Sequence, residues 1–466
     1  MVIPLALGGA IALVPAPAGL TQNAWHYFAL FVTIIAGIIT EPMPPAALGL
    51  AGVIVAAALG LVRDTPSQGA QWALSGFANP TVWLIFAGYM FTLGYTETGL
   101  GRRIALHLVR LLGHRTLGLG YAVTLADLTL APFTASATAR SAGTIYPIVR
   151  HIPELYGSSP DAGTARRIGA YLLYTAMAAS TITSSMFITA LAPNTLAISI
   201  IEQATGERVS WLTWFKGFAP VGFTLLLLVP SVLYWIYPPE VRRSPEAPRW
   251  AAVELRQMGP MSSREITLLA LVCGALTLWI TATGYIDPAL TAVFVVLLMV
   301  VLGVVSWSDV VGHAAAWNVL IWFGALVTLA GGLADTGFVR WTAQSLSPAL
   351  AQLNLVEAVL VIVGAFFFLH YCFASITAHT STLLPVFVGL AIAVPGLSPL
   401  TWALLLGYSL GLMSILTSYA AGQNVIYYGS GFIARREFWA LGLMMGVLYF
   451  VIYLSIAVPW LTFLDL

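Results

Sequence analysis

Two short segments carry the residue types best suited to hold a small anion. Ser136-Ala137-Thr138-Ala139-Arg140 recurs 239 residues later as Ser375-Ile376-Thr377-Ala378-His379. A helix that starts just after such a segment presents unpaired backbone N–H groups and about half a positive charge, and a neighbouring hydroxyl adds a donor. Two such starts facing each other would hold the two ends of a dianion. The alternative is that each Ser or Thr only caps its helix or bonds back to a carbonyl one turn away. Two copies at matching places favour binding. Arg140 lies in an otherwise charge-free stretch, where a cation within a membrane costs between about 2.5 and 17 kcal/mol and must be paired or face water. It therefore meets either the substrate or a structural partner, for which Asp127 is the obvious candidate. His379 stands at the equivalent place and takes the same reading by symmetry. His370 has no such support and reads as structural.

A second pair of segments has similar chemistry. Ser180-Thr181-Ile182-Thr183-Ser184-Ser185 leads into Thr189 and then Pro193-Asn194, and its counterpart is Thr417-Ser418-Tyr419 followed by Gly422-Gln423-Asn424. Each could unwind a span and offer amide and hydroxyl groups to a ligand, with Asn194, Gln423 and Asn424 as the candidate contacts. Polar contacts between packed helices are the competing explanation.

The elements that must position these residues follow from composition. Charged residues make up 8% of 466 and mean hydropathy is +0.90, which cannot build a water-facing surface, so most of the outside faces lipid. A net charge of +1 gives no argument for nucleic acid. Cys273 and Cys372 read as packed free thiols. Spanning stretches are predicted at 3–20 (shortened by Pro15 and Pro17), 25–43, 46–62, 79–97, 168–200, 219–237, 265–284, 288–305, 318–335, 400–430 and 439–461. That makes about eleven crossings in an all-α polytopic protein. The stretches 117–150 and 354–396 are each interrupted by small polar residues and read as re-entrant hairpins. With the N-terminus cytoplasmic, fourteen of the nineteen basic residues fall inside and four outside, with Arg140 apart; that bias fits the positive-inside rule. Residues 238–266 read as a cytoplasmic linker between repeats at 1–237 and 267–466. Glu97-Thr98-Gly99 with Arg102 recurs as Asp335-Thr336-Gly337 with Arg340, and Pro147 pairs with Pro385. Hairpins that open to opposite sides make the repeat inverted, a transporter architecture. No cofactor, metal or catalytic group is expected. There is no His-Glu-x-x-His motif and no histidine after Ser430 to serve it as a base.

Several longer segments carry a family resemblance: TLADLTLAPFTASATARSAGTIYPIVRHIPELYG, HYCFASITAHTSTLLPVF, NVIYYGSGFIARREFW, SGFANPTVWLIFAGYM and TETGLGRRIAL. They resemble the divalent anion–sodium symporter family, and within it the exchanger branch of bacterial citrate/succinate and tartrate/succinate antiporters and the plastid 2-oxoglutarate/malate translocator. The family's mark is a Ser-Asn-Thr signature at each hairpin tip that binds the substrate carboxylates. Here Ser136 and Thr138, and Ser375 and Thr377, match it, while Ala137 and Ile376 stand where Asn is expected. Loss at 376 is usual for this branch, and loss at 137 is a departure. Exchangers carry a basic residue after the signature where sodium-coupled members carry a small one, and this chain has both Arg140 and His379. The resemblance implies a sodium-independent antiporter of succinate, malate, fumarate, tartrate, 2-oxoglutarate or citrate. It also implies an elevator mechanism and a homodimer in the bacterial inner membrane. Two fixed positive groups would then replace two sodium ions, and mild acid would favour binding through His379. A sodium-coupled dicarboxylate symporter is the nearest rival.

Overall fold

The computed structural model describes residues 2–40, 42–282, 285–350 and 353–466, with side chains for all of these except 39, 343 and 346–350. The described residues form helices and no strand, apart from an isolated bridge between Arg115 and Arg243. Among them, six helices are long and apolar enough to cross a membrane: 116–133, 211–236, 263–281, 314–335, 355–372 and 435–463. Five shorter apolar helices accompany them.

One expected span comes out shorter, and two are interrupted where their polar segments could unwind a helix. The first helix runs only over Val2–Leu13, and the Trp25 indole fastens it to the next helix by donating to the Ile11 and Val14 carbonyls at 3.0 and 2.9 Å. The stretches 168–200 and 400–430 are not continuous. Gly169–Met186 and Ala192–Thr205 are separated by 187–191, and Pro399–Leu412 and Gly422–Gly429 by 413–421. The two expected hairpins fold as opposed helices around non-helical tips. Thr116–Leu130 is followed by Thr138–Ile145 (a π-helical stretch) and Tyr146–His151, and Leu355–Phe368 by Ile376–Ala391.

Matching details recur in the two halves. Gly99 closes Pro80–Thr98 with φ of 78°, and Gly337 follows Ala314–Asp335 with φ of 83°. A side chain is strained there, so glycine is what lets each helix stop and a lateral one (Leu100–Leu112, Phe338–Leu350) begin at once.

The 238–266 segment is partly ordered as a helix, Glu246–Met258, that lies on Leu100–Leu112. Arg103 is the rivet. Its guanidinium donates to both Glu265 oxygens at 2.7 and 3.2 Å and to the Gly259 carbonyl at 2.8 Å, with both side chains buried. One acid thus joins the lateral helix to Ser263–Thr281, whose N-terminus Glu265 and Ser262 close as a reciprocal cap. Replacing Arg103 by Ala leaves a buried carboxylate unpaired and should cost about 3–5 kcal/mol. The double change Arg103→Leu, Glu265→Leu should recover much of it. Thermal unfolding of the detergent-solubilised protein reads both, and an unchanged midpoint for R103A would refute the account.

Candidate substrate site

The two hairpin tips and the two helix breaks meet at one cavity of about 200 Å³. Ser136-Ala137-Thr138, Leu191-Ala192-Pro193, Ser375-Ile376-Thr377 and Ala421-Gly422-Gln423 line it, and each triplet stands at the start of a helix. Four helix N-termini therefore point their first residues at one small space. At about half a charge each, they supply roughly two positive charges without any ionised side chain. Close approach makes this possible. A Cβ on Gly422 would come within 2.6 Å of Thr138 Oγ1, so glycine lets the first hairpin tip reach the second helix break. The walls are Tyr89 from Pro80–Thr98 and Val319, Trp322 and Phe323 from Ala314–Asp335.

The tip serines cap their helices, the alternative that the sequence offered, and also line the cavity. Ser136 Oγ accepts from the Ala139 N–H at 3.2 Å and Ser375 Oγ from the Ala378 N–H at 3.4 Å, so both cap their helices while lining the cavity. Thr138 donates to Gln423 Oε1 at 3.4 Å, which ties first tip to second break.

Asn194 and Asn424 do not line the cavity. Each is buried and uses its Nδ2 as a stitch across its own break. Asn194 donates to the Ser184 and Phe187 carbonyls at 2.6 and 2.9 Å, and Asn424 to the Ser414 and Thr417 carbonyls at 2.6 and 2.8 Å. The partners lie ten and seven residues upstream in both cases. The amides satisfy carbonyls that the interrupted helices leave open, at about 0.5–1.5 kcal/mol per bond.

Arg140 is fully buried behind the first tip and is not a wall of the cavity. Its Nε donates to Asp127 at 3.1 Å, NH1 to the Thr134 and Ala190 carbonyls at 3.1 and 2.9 Å, and NH2 to Thr183 and Ser184 hydroxyls at 3.3 and 3.0 Å. Thr183 donates in turn to Asp127. One guanidinium thus joins both arms of the first hairpin to the first break and to the end of the helix before it. The expectation of two free fixed charges is corrected here: Asp127 already compensates Arg140, as buried ion pairs require. His379 lies on the first turn of Ile376–Ala391, also buried and off the cavity wall. Its ring packs edge-on to Phe366, Phe373 and His370 at 4.5–5.1 Å between centroids, and neither ring nitrogen has a partner among the described residues.

Sequence reasoning missed the walls. Val319, Trp322 and Phe323 share one face at helical spacing, but the helix is apolar all round and gives no sign of which face meets a ligand. Pro193 was passed over as a helix breaker, although it occupies the place that Gln423 holds in the other half, one residue before the stitching Asn. If the Arg140 network is a structural unit, Asp127→Ala and Arg140→Ala should be similarly damaging, each losing about 3–5 kcal/mol by leaving one buried charge alone. Thermal unfolding checks this, and a stable D127A variant would break the link between the two.

The family described as the sodium:sulfate symporter transmembrane region matches residues 1–466. Curated relatives include the L-tartrate/succinate antiporters of Shigella sonnei (strain Ss046) and Escherichia coli (strain K12). Each is 44% identical over 470 residues, spanning 98% of this chain and 96% of the relative. Solved structures with a similar fold include the Alcanivorax borkumensis YdaH transporter, with a TM-score of 0.58 and 17% identity over 94% of this chain and 98% of that one. Neisseria gonorrhoeae MtrF follows, with a TM-score of 0.57 and 14% identity over 91% and 96%. At those identities they speak for the fold alone. Matched along its whole length, and with relatives that are antiporters, this chain belongs to the sodium:sulfate symporter family, the divalent anion–sodium symporters, and to its exchanger branch.

Proposed function

We propose that this membrane transporter exchanges small dicarboxylates one for one, without sodium, and that tartrate, malate and succinate are within its range. The observation that carries the anion is the convergence of four helix N-termini on one cavity. Their summed partial charge is about what two carboxylates need. Ser136, Thr138, Ser375, Thr377 and Gln423, with the backbone N–H groups at Ala137 and Ile376, are the contacts. Arg140, His379, Asn194 and Asn424 act from behind by fixing the tips and breaks. The names of the relatives, L-tartrate/succinate antiporters, agree with this substrate class.

Sodium independence is supported by what surrounds Arg140. Two carbonyls, two hydroxyls and a carboxylate oxygen form the kind of oxygen set a hard cation takes, and a tethered guanidinium fills it. In the other half the corresponding space is occupied by the His379 ring among aromatic neighbours. Exchange follows from the empty site, whose unpaired donors are costly to carry through a bilayer without an anion. The hairpins and broken helices would move as one body in an elevator cycle, in a homodimer of the inner membrane with the N-terminus cytoplasmic, as the distribution of basic residues supports.

Counterflow into proteoliposomes tests this reading. Labelled succinate should enter vesicles loaded with unlabelled succinate, tartrate or malate and not empty ones, with or without sodium. Sodium-driven uptake into empty vesicles would replace exchange by symport. Thr377→Val, which removes one hydroxyl from the cavity wall, should raise the half-saturating succinate concentration about tenfold or more, because it loses a bond to a charged group. An unchanged value would remove the second tip from the contacts.

A further inference from the structure

The cavity is not equally polar on its two sides, and the difference lies in residues that the carboxylate-binding tips do not explain. Gln423 is 1% exposed, lines the cavity, and keeps its Oε1 on Thr138 while its Nε2 has no partner among the described residues. On the wall from Ala314–Asp335, the buried indole Nε1 of Trp322 also has no partner among the described residues. A buried donor left unpaired is expensive, and tryptophan N–H groups that are buried usually find a partner. At the matching place in the first half stands Pro193, which offers no donor.

We infer that Gln423, together with Trp322 of the same cavity, reads a hydroxyl on the carbon chain of the ligand, so that the site discriminates 2-hydroxy and 2,3-dihydroxy dicarboxylates from unsubstituted ones. The inference rests on the exchange of dicarboxylates proposed above and sharpens its substrate class. The four helix starts already serve the carboxylates, which leaves the Gln423 and Trp322 N–H groups for another part of the ligand. With Oε1 on Thr138, Gln423 Nε2 is the spare donor, and a hydroxyl oxygen can accept from it. The methylenes of succinate satisfy neither Gln423 nor Trp322. Sites built to bond a substrate hydroxyl penalise the analogue that lacks it, because their own polar groups are then left unpaired.

The test uses the full-length protein in succinate-loaded proteoliposomes, measuring inhibition of labelled succinate exchange by L-tartrate, by malate and by succinate itself. In Gln423→Leu the ratio of half-inhibiting tartrate to half-inhibiting succinate should rise about tenfold, as expected for one lost hydrogen bond. In Trp322→Phe it should rise about threefold. Gln423→Pro, which copies residue 193 at the same helical position, is the second variant if the leucine change does not fold. A ratio unchanged in the variants, or both anions weakening together, would overturn the inference while leaving exchange intact. Absence of succinate counterflow in the unaltered chain would instead overturn the exchange reading. The hydroxyl preference would then be read from thermal shifts of the detergent-solubilised protein with the same anions: equal shifts by tartrate and succinate would overturn it too.

Discussion

Everything in this fold depends on satisfying backbone polar groups where helices begin and end inside an apolar protein. A lipid-facing chain has no water to hydrogen-bond an open N–H or C=O, so interrupted helices survive only when something else closes them. Four such interruptions surround the cavity among the described residues, and their open ends are treated differently. The carbonyl ends are closed internally, by Asn194 and Asn424 across the two breaks and by Arg140 on Thr134 and Ala190. The N–H ends are turned to a common cavity. The protein thereby spends its own side chains on one polarity and leaves the other for an anion.

That division alters how charge compensation is understood. Sequence alone suggests two fixed cations facing a dianion. In the structure the Arg140 charge is balanced by Asp127, and His379 sits among rings, so at the proposed site attraction for an anion would come mainly from aligned peptide dipoles. Dipolar attraction has a useful property: it needs no counterion when the site is empty, only hydrogen-bond partners. The cost of an unloaded cycle is then one of unpaired donors rather than of naked charge, which still opposes movement without cargo.

How much of this could be read in the sequence varies by residue for physical reasons. The tips at 136–138 and 375–377 were legible because small polar residues interrupt apolar runs and do so twice. The breaks near 187–191 and 413–421 were legible as polar, Pro- or Gly-containing stretches able to unwind a span. Side-chain direction was not legible. Asn194 and Gln423 look equally suited to a ligand, yet one sews its own backbone and the other faces the cavity, a difference set by a single residue step at a helix start. Trp322 was invisible because a helix that is apolar on every face carries no periodic mark of its inner side. The helix 246–258 lay hidden in a segment rich in Pro and charge, where its amphipathic stripe was short.

The pairing of Pro193 with Gln423 carries one more consequence. A cage made from two related halves offers a ligand that has its own twofold axis two superimposable poses, and so a small entropic advantage from degeneracy. An unsymmetrical anion has no such option. An amide in one half and a proline in the other remove that degeneracy: the two ends of the cage differ, so a cargo held there has a head and a tail.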